Sequence, residues 1–214
     1  MDRIKAAIEI VKKNYIPLMA IALAYSLLEL GIMKVISPYM GSHSITSIFS
    51  GGVYIVIFAL VIFELIRITF LTGFLPMVLA AVSGQEISIS SFKGFLTKKR
   101  FFNVLILEIV VLPIFVAGLV LLIIPGVYWF VVTIVAYFIV VEHQEKGTLD
   151  SISASISSTK GYGWWIFLYI CVFSMISFFA SLIPVVSVIT DTLLTPTLYV
   201  ALALIYRECY KEND

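Results

Sequence analysis

Four charged side chains, Glu29, Glu64, Arg67 and Glu108, lie inside long apolar runs of the sequence. A charged group near the middle of a bilayer costs about 2.5–3.5 kcal/mol on insertion scales, so such groups normally face protein or water and mark candidate functional sites. Glu64 and Arg67 are three residues apart and share one face of a helix. Two kinds of chemistry fit them: the guanidinium could bind an anionic group such as a lipid phosphate, or the carboxylates could relay protons.

Glu108 lies in the apolar run that follows the one holding Arg67, so the two runs should cross a membrane in opposite directions. At about 1.5 Å per residue, Arg67 comes about 9 Å and Glu108 about 10 Å above the inner boundary of a hydrocarbon core about 30 Å thick. We therefore predict one intramembrane cluster of Glu64, Arg67 and Glu108, with Glu29 nearer the outer side and separate. The alternative is a buried ion pair that only fixes helix register.

The composition indicates what kind of protein positions these charges. Of the 214 residues, 61% are hydrophobic and 13% are charged, whereas charged residues make up about a quarter of an ordinary soluble domain. The formal net charge of +1 gives no bias towards nucleic acid. The length allows about six spans of about 20 residues each, so we predict an all-α, polytopic integral membrane protein.

Three amphipathic segments each precede a pair of apolar spans, and their apolar residues recur at the spacing of a helix that lies along a membrane surface. In the third segment, serines fill the predicted polar face. The predicted organisation is a single membrane domain, residues 1–214, with six transmembrane helices as three hairpins, each preceded by an interfacial elbow helix: elbow 1–14 with spans 15–36 and 53–75, elbow 88–98 with spans 101–124 and 127–141, and elbow 148–159 with spans 162–183 and 192–206.

Prolines and glycines predict where the helices stop. Pro125 and Gly126 predict a tight turn between the third and fourth spans. Gly73 and Pro76 predict a kink or break in the second apolar run, with residues 74–82 emerging along the inner interface. Loops are predicted at 37–52 and 184–191.

The basic residues predict the orientation. Of the 14 Lys and Arg residues, all except Lys34 and Arg67, that is 12, fall on one side of the six-span arrangement. This positive-inside pattern predicts a multi-pass protein of the cell (plasma) membrane with both termini cytoplasmic. The basic joint of Lys98, Lys99 and Arg100 is a candidate contact for anionic lipid headgroups.

Short motifs along the chain resemble a known family. They are Pro125-Gly126-Val127-Tyr128, Val140-Val141-Glu142, Ser155 with Thr159-Lys160-Gly161, the Trp164-Trp165 pair, and Gly84-Gln85 before the second elbow. In this order they resemble the six-helix membrane domain attached to some prokaryotic glycerophosphodiester phosphodiesterases, and the related uncharacterised stand-alone membrane proteins. The resemblance implies a six-helix membrane fold and no catalytic residues, because the chemistry of those phosphodiesterases belongs to a soluble domain.

No nucleophile with an adjacent base can be assembled from the spans, and the sequence contains no P-loop, H-E-x-x-H or paired CxxC motif. We therefore expect no enzyme activity, no catalytic residue, no cofactor and no metal. The leading hypothesis is a non-enzymatic membrane protein that binds or moves lipid or another amphiphile near Arg67. Two alternatives stay open: a membrane scaffold, immunity or accessory subunit, and a proton-coupled carrier or channel that uses Glu64 and Glu108. The expected partners are membrane lipids, with a protein partner or a homo-oligomer also considered, and no nucleic acid.

Overall fold

The computed structural model describes residues 2–40, 52–121 and 123–211. Within these ranges the chain is all-helical, as predicted, and five helices are long and apolar enough to cross a membrane. A sixth apolar helix, Gly126–Glu142, is shorter. These helices mark a multi-pass membrane protein. In chain order the helices of the described residues are α1 Asp2–Lys13, α2 Tyr15–Met40, α3 Gly52–Val82, α4 Ile89–Phe95, α5 Lys98–Leu121, α6 Ile123–Glu142, α7 Thr148–Ser158, α8 Gly163–Ala180 and α9 Pro184–Lys211.

The first and last helices meet at one end of the bundle, which we call the proximal end; the opposite end is the distal end. Arg3 in α1 pairs with Glu208 in α9, with Nη2 and Oε2 2.6 Å apart. Arg207, also in α9, pairs with Glu142 at the end of α6, with Nη1 and Oε1 2.7 Å apart. The beginning of α1 and the ends of α6 and α9 are therefore held together by ion pairs.

The densely packed core lies in the proximal half of the bundle. Residues 70–81 of α3 are buried around the whole helix, and most of residues 131–141 of α6 and 200–206 of α9 are buried with them. By contrast, residues 54–66 of α3 are exposed or half-buried. The helices thus pack closely at the proximal end and present apolar surface towards the distal end, as lipid-facing segments do.

The second apolar run forms one uninterrupted helix, so the predicted break at Gly73 and Pro76 is wrong. Pro76 removes one backbone hydrogen bond of α3, but the helix is enclosed by its neighbours at this level. Gly73 has a different role: a Cβ atom there would overlap the Phe92 ring of α4. The glycine lets α4 dock against the side of α3, and residues 74–82 lie in the core instead of along an interface.

Two predicted connections are helical in the structure. Pro125 and Gly126 lie in the first turn of α6, which begins at Ile123, so the tight turn predicted there is wrong. The predicted loop 184–191 is also wrong, because α9 begins at Pro184. The first four N–H groups of a helix have no intrahelical acceptor, so a proline in the first turn loses no hydrogen bond.

The other predicted loop, 37–52, falls mostly on residues outside those that the structure describes. Residues 37–40 are the last turn of α2, which is therefore longer than the predicted span 15–36. At the end of the next span, α3 continues to Val82, past the predicted limit of 75.

Helix α7 docks on α6 through small side chains. Ser151 and Ser155 are fully buried, whereas Leu149 of the same helix is 71% exposed. The Ser155 hydroxyl donates a hydrogen bond to the backbone carbonyl of Val132 in α6. Small residues let two helix backbones approach closely, so Ser151 and Ser155 belong to a packing face. The predicted polar face is therefore wrong for Ser155, whereas Ser153 and Ser157 are exposed as predicted.

Candidate functional site

Helices α3 and α5 bring the three predicted charged residues together. Glu64 and Arg67 lie one turn apart on α3, where Arg67 Nη2 donates to Glu64 Oε1 at 2.7 Å and Arg67 Nε donates to Glu64 Oε2 at 3.0 Å. The same guanidinium pairs with the Glu108 carboxylate of α5. The contact arises because the antiparallel helices place Arg67 and Glu108 at the same depth.

A tyrosine that the sequence did not indicate completes the cluster. The Tyr137 hydroxyl of α6 donates a hydrogen bond to Glu108, so polar contacts run without interruption from Tyr137 through Glu108 and Arg67 to Glu64. We call these four residues the Arg67 cluster. Two carboxylates and one guanidinium give it a formal charge of −1 when all three are ionised, so the positive charge of Arg67 is already balanced within the protein.

The Arg67 cluster lies at the border between the packed proximal half and the open distal half. The Glu108 side chain is 10% exposed and the Arg67 side chain 29% exposed, while that of Glu64 is 39% exposed. Exposure therefore rises across the cluster from α5 towards the outer surface of α3. A ligand that approaches from the distal half would meet Glu64 and Arg67 before Glu108.

A cavity of about 300 Å³ borders Arg67 between α3, α6, α8 and α9, and we call it the Arg67 cavity. Its lining includes four polar residues: Arg67, Tyr137, Tyr199 and Ser174. The rest of its wall is apolar: Leu71, Leu75, Phe130, Ile134, Phe138, Ile170, Leu198 and Leu202. Mostly apolar walls with a few convergent polar groups are typical of small-molecule sites.

A second cavity, of about 170 Å³, lies between α3, α5 and α6 and includes Glu108. It shares Arg67 and Tyr137 with the Arg67 cavity. Two members of the Arg67 cluster, Arg67 and Tyr137, therefore border both spaces.

A row of aromatic rings joins the wall of the Arg67 cavity to α2. Tyr25 of α2 stacks on Phe70 of α3 with ring centroids 4.3 Å apart. Phe70 stacks on Phe74 at 4.7 Å, and Phe74 meets Tyr199 of α9 edge-on at 5.7 Å. These four rings form a row of successive contacts that runs from α2 across α3 to α9.

Glu29 lies on α2 and takes part in a different polar contact. It is within electrostatic range of Asp191 of α9, and Ser177 of α8 donates a hydrogen bond to Asp191 at 3.0 Å. Sequence reasoning missed Asp191 because it assigned residues 184–191 to a loop. A proline at the first position of a helix is the signal that could have placed this carboxylate within α9.

Two of the three residues in the basic joint, Arg100 and Lys99, make contacts that stabilise the fold. Arg100 donates to the backbone carbonyls of Val141 at 2.9 Å and Phe95 at 2.8 Å, near the ends of α6 and α4. Carbonyls in the last turn of a helix lack intrahelical donors, so Arg100 satisfies them. Lys99 pairs with Glu145 at 2.7 Å. Lys98 is exposed beside them at the proximal end.

Comparison of this chain with protein-family models, with curated proteins and with solved structures finds no match. Among the described residues, no group of three or more His, Cys, Asp or Glu side chains is arranged to hold a metal ion. The function is therefore inferred from the geometry of the Arg67 cluster and its cavity.

Proposed function

We propose that the protein is a non-enzymatic membrane protein that binds or moves a lipid or another amphiphile, whose polar head is held in the Arg67 cavity. The observation that carries this proposal is that one cavity combines apolar walls from four helices with the polar residues Arg67, Tyr137 and Tyr199. An amphiphile needs both kinds of surface. The resemblance to the membrane domains of glycerophosphodiester phosphodiesterases stays a prediction, and a role in lipid handling agrees with it.

The net charge of the Arg67 cluster indicates which headgroups can bind beside it. Arg67 is bound by two carboxylates, so a bare anion would have to displace one of them and would meet the repulsion of both. A headgroup that carries an amine as well as a phosphate avoids this cost: the phosphate can approach Arg67 in the cavity while the amine pairs with Glu64, the partly exposed partner of Arg67. We therefore favour a zwitterionic amphiphile.

We further propose that the chain crosses the cell membrane six times, with both termini cytoplasmic and with α1, α4 and α7 as interfacial elbows. The pairing of Arg3 with Glu208 supports an even number of crossings, because five crossings would put these residues on opposite sides. Helix α6 supplies the sixth crossing: it has 20 residues, which extend about 30 Å, the thickness of a hydrocarbon core. The proximal end is then the cytoplasmic end.

Cysteine labelling in intact cells tests this topology. In a background with Cys171→Ala and Cys209→Ala, a single cysteine is placed at Ser181, between α8 and α9, or at Ser90 in α4. Both serines are exposed. We expect a membrane-impermeant maleimide to label Ser181→Cys in intact cells and Ser90→Cys only after lysis. Labelling of both variants in intact cells, or of Ser90→Cys alone, would contradict the proposed topology.

Translocation of a fluorescent zwitterionic lipid in proteoliposomes tests the function. The native protein is expected to accelerate translocation, and Arg67→Ala is expected to return it to the rate of empty vesicles because the polar head loses its donor. Ser174→Phe, which leaves the Arg67 cluster intact and fills the cavity, should have the same effect. Lys99→Ala is the matched control: it removes an ion pair at the proximal end and should leave the rate unchanged.

The same vesicles separate the alternatives. A native rate equal to that of empty vesicles would contradict lipid movement and would favour a scaffold, immunity or accessory subunit. A rate that follows an imposed pH gradient, and loses that dependence in Glu64→Gln, would favour a proton-coupled carrier. We expect translocation to be independent of the gradient.

A further inference from the structure

A long apolar groove follows the seam between α2 and α3. One cavity of about 280 Å³ lies beside Tyr25 and Phe70, and another of about 410 Å³ lies beside Gly31 and Phe58. Leu28 lines both, so the two cavities are neighbours along the same seam, and together we call them the α2/α3 groove. It accompanies α2 from residue 21 to residue 35, a length of about 21 Å at the helical rise.

The groove presents almost only hydrocarbon. Its two hydroxyl-bearing residues are Tyr25 and Thr69, and Thr69 donates its hydrogen bond to the carbonyl of Leu65 in its own helix at 2.7 Å. At Gly31, a Cβ atom would have no heavy atom within 4 Å, so the groove is open above this residue. Such a surface has few groups that can hydrogen-bond to water, so within a bilayer it is filled by apolar chains.

We propose that the α2/α3 groove binds one acyl chain of a glycerophospholipid from the leaflet at the distal end. Its length of about 21 Å exceeds the depth of one leaflet, about half of a 30 Å core, so a whole chain fits. The Phe92 ring of α4 lines the cavity of about 280 Å³, at the proximal end of the groove, beside Ile21 and Ala24. The terminal methyl of the chain would therefore lie towards Phe92, and its headgroup towards the distal end.

The positive charge of Lys34 at the distal end favours a phospholipid over an apolar molecule without a charged headgroup. Lys34 is exposed on α2 beside Val35, which lines the distal end of the groove. A lysine at this level extends its ammonium towards the headgroups and attracts a phosphate. The α2/α3 groove is distinct from the Arg67 cavity, since the Tyr25, Phe70, Phe74 and Tyr199 rings lie between them, so this inference does not depend on the function proposed above.

Photo-crosslinking in nanodiscs tests the inference. The probe is a phosphatidylcholine with a diazirine near the end of one acyl chain, diluted in unlabelled lipid, and cross-linked residues are mapped by mass spectrometry. We expect labelling to concentrate on groove positions such as Leu28 and Phe70, above the level at Ile109 and Val116, which are exposed on α5. Ordinary surrounding lipid would label all exposed apolar faces to a similar extent, so even labelling would overturn the proposal.

Substitutions test the site itself. Gly31→Leu fills the groove where there is open space and should abolish the excess labelling, whereas Ala117→Leu adds the same side chain on an exposed face of α5 and should preserve it. Excess labelling that persists in folded, monodisperse Gly31→Leu would overturn the groove as the site. Lys34→Glu should also remove the excess through repulsion of the phosphate, and an unchanged excess would overturn the assignment of the headgroup to Lys34.

Discussion

Arg67→Ala is expected to lower the free energy of unfolding by about 3–5 kcal/mol, the usual cost of removing one partner from a buried ion pair. The largest part of this loss comes from Glu108, whose side chain is 10% exposed. Without Arg67, the Glu108 carboxylate would keep only the Tyr137 hydroxyl as a hydrogen-bond partner within the cluster. Reversible unfolding in mixed micelles, followed by circular dichroism, measures the change.

Three variants show whether the loss has this cause. Tyr137→Phe removes one interhelical hydrogen bond and should cost only about 0.6 kcal/mol, the average for such bonds in a membrane. Lys99→Ala breaks an exposed pair and should cost about 1 kcal/mol or less. The triple variant Glu64→Leu, Arg67→Met, Glu108→Leu removes every charge at once and should be about as stable as the native protein. A triple variant as unstable as Arg67→Ala would contradict the explanation.

Ser155→Leu is expected to separate α7 from α6 at a cost of about 1–3 kcal/mol, the range for inserting extra methylene groups into a packed core. Ser155 is fully buried, and its hydroxyl meets the backbone of Val132, so a longer side chain must push the helices apart. Thermal unfolding measures the cost. Limited trypsin digestion at Lys160, just after α7, should become faster because the helix end is released.

The matched control is Ser157→Leu, which adds the same side chain to the exposed face of α7 and should change stability by about 0.5 kcal/mol at most. Ser155→Ala keeps the small volume and should lose only the hydrogen bond, about 0.6 kcal/mol. Equal losses in Ser155→Leu and Ser157→Leu would mean that α7 does not dock through its serine face.

The contact between Arg67 and Glu108 was predictable because it depends on only two quantities. The helical rise gives the depth of each residue in its run, and the antiparallel order of the runs gives the direction in which that depth is counted. Tyr137 and Tyr199 were not predictable in the same way. The sequence around a tyrosine in an apolar run does not indicate whether its hydroxyl points to a neighbouring helix, because every face of the helix is similarly apolar.

The division between a packed proximal half and an open distal half also lies beyond the sequence. Residues 54–66 and 70–81 of α3 are similarly apolar, yet the first group is exposed or half-buried and the second is buried. In a membrane, lipid tails and protein interiors are equally apolar, so hydropathy does not distinguish them. The position of Ser155 in α7 was misjudged for a related reason: small polar residues suit both a solvated surface and a close helix contact.

The prolines show how one residue type permits opposite interpretations. Pro125 and Pro184 were taken to end helices, but each lies in the first turn of one, where its missing N–H has no cost. Pro76 was taken to kink or break α3, but the helix is continuous from Gly52 to Val82, enclosed by packing around residues 70–81. Position relative to a helix start decides the effect of a proline, and that position follows from tertiary contacts that the local sequence does not contain.

The most direct test of the central claim, that the Arg67 cavity holds the polar head of an amphiphile, is lipid translocation by the triple variant Glu64→Leu, Arg67→Met, Glu108→Leu. This variant is expected to keep a stable bundle while the Arg67 cavity loses the guanidinium, the charged group of its lining. We predict a folded protein whose proteoliposomes translocate a zwitterionic lipid no faster than empty vesicles. Native rates in the folded triple variant would contradict the claim and would leave the Arg67 cluster with a structural role alone.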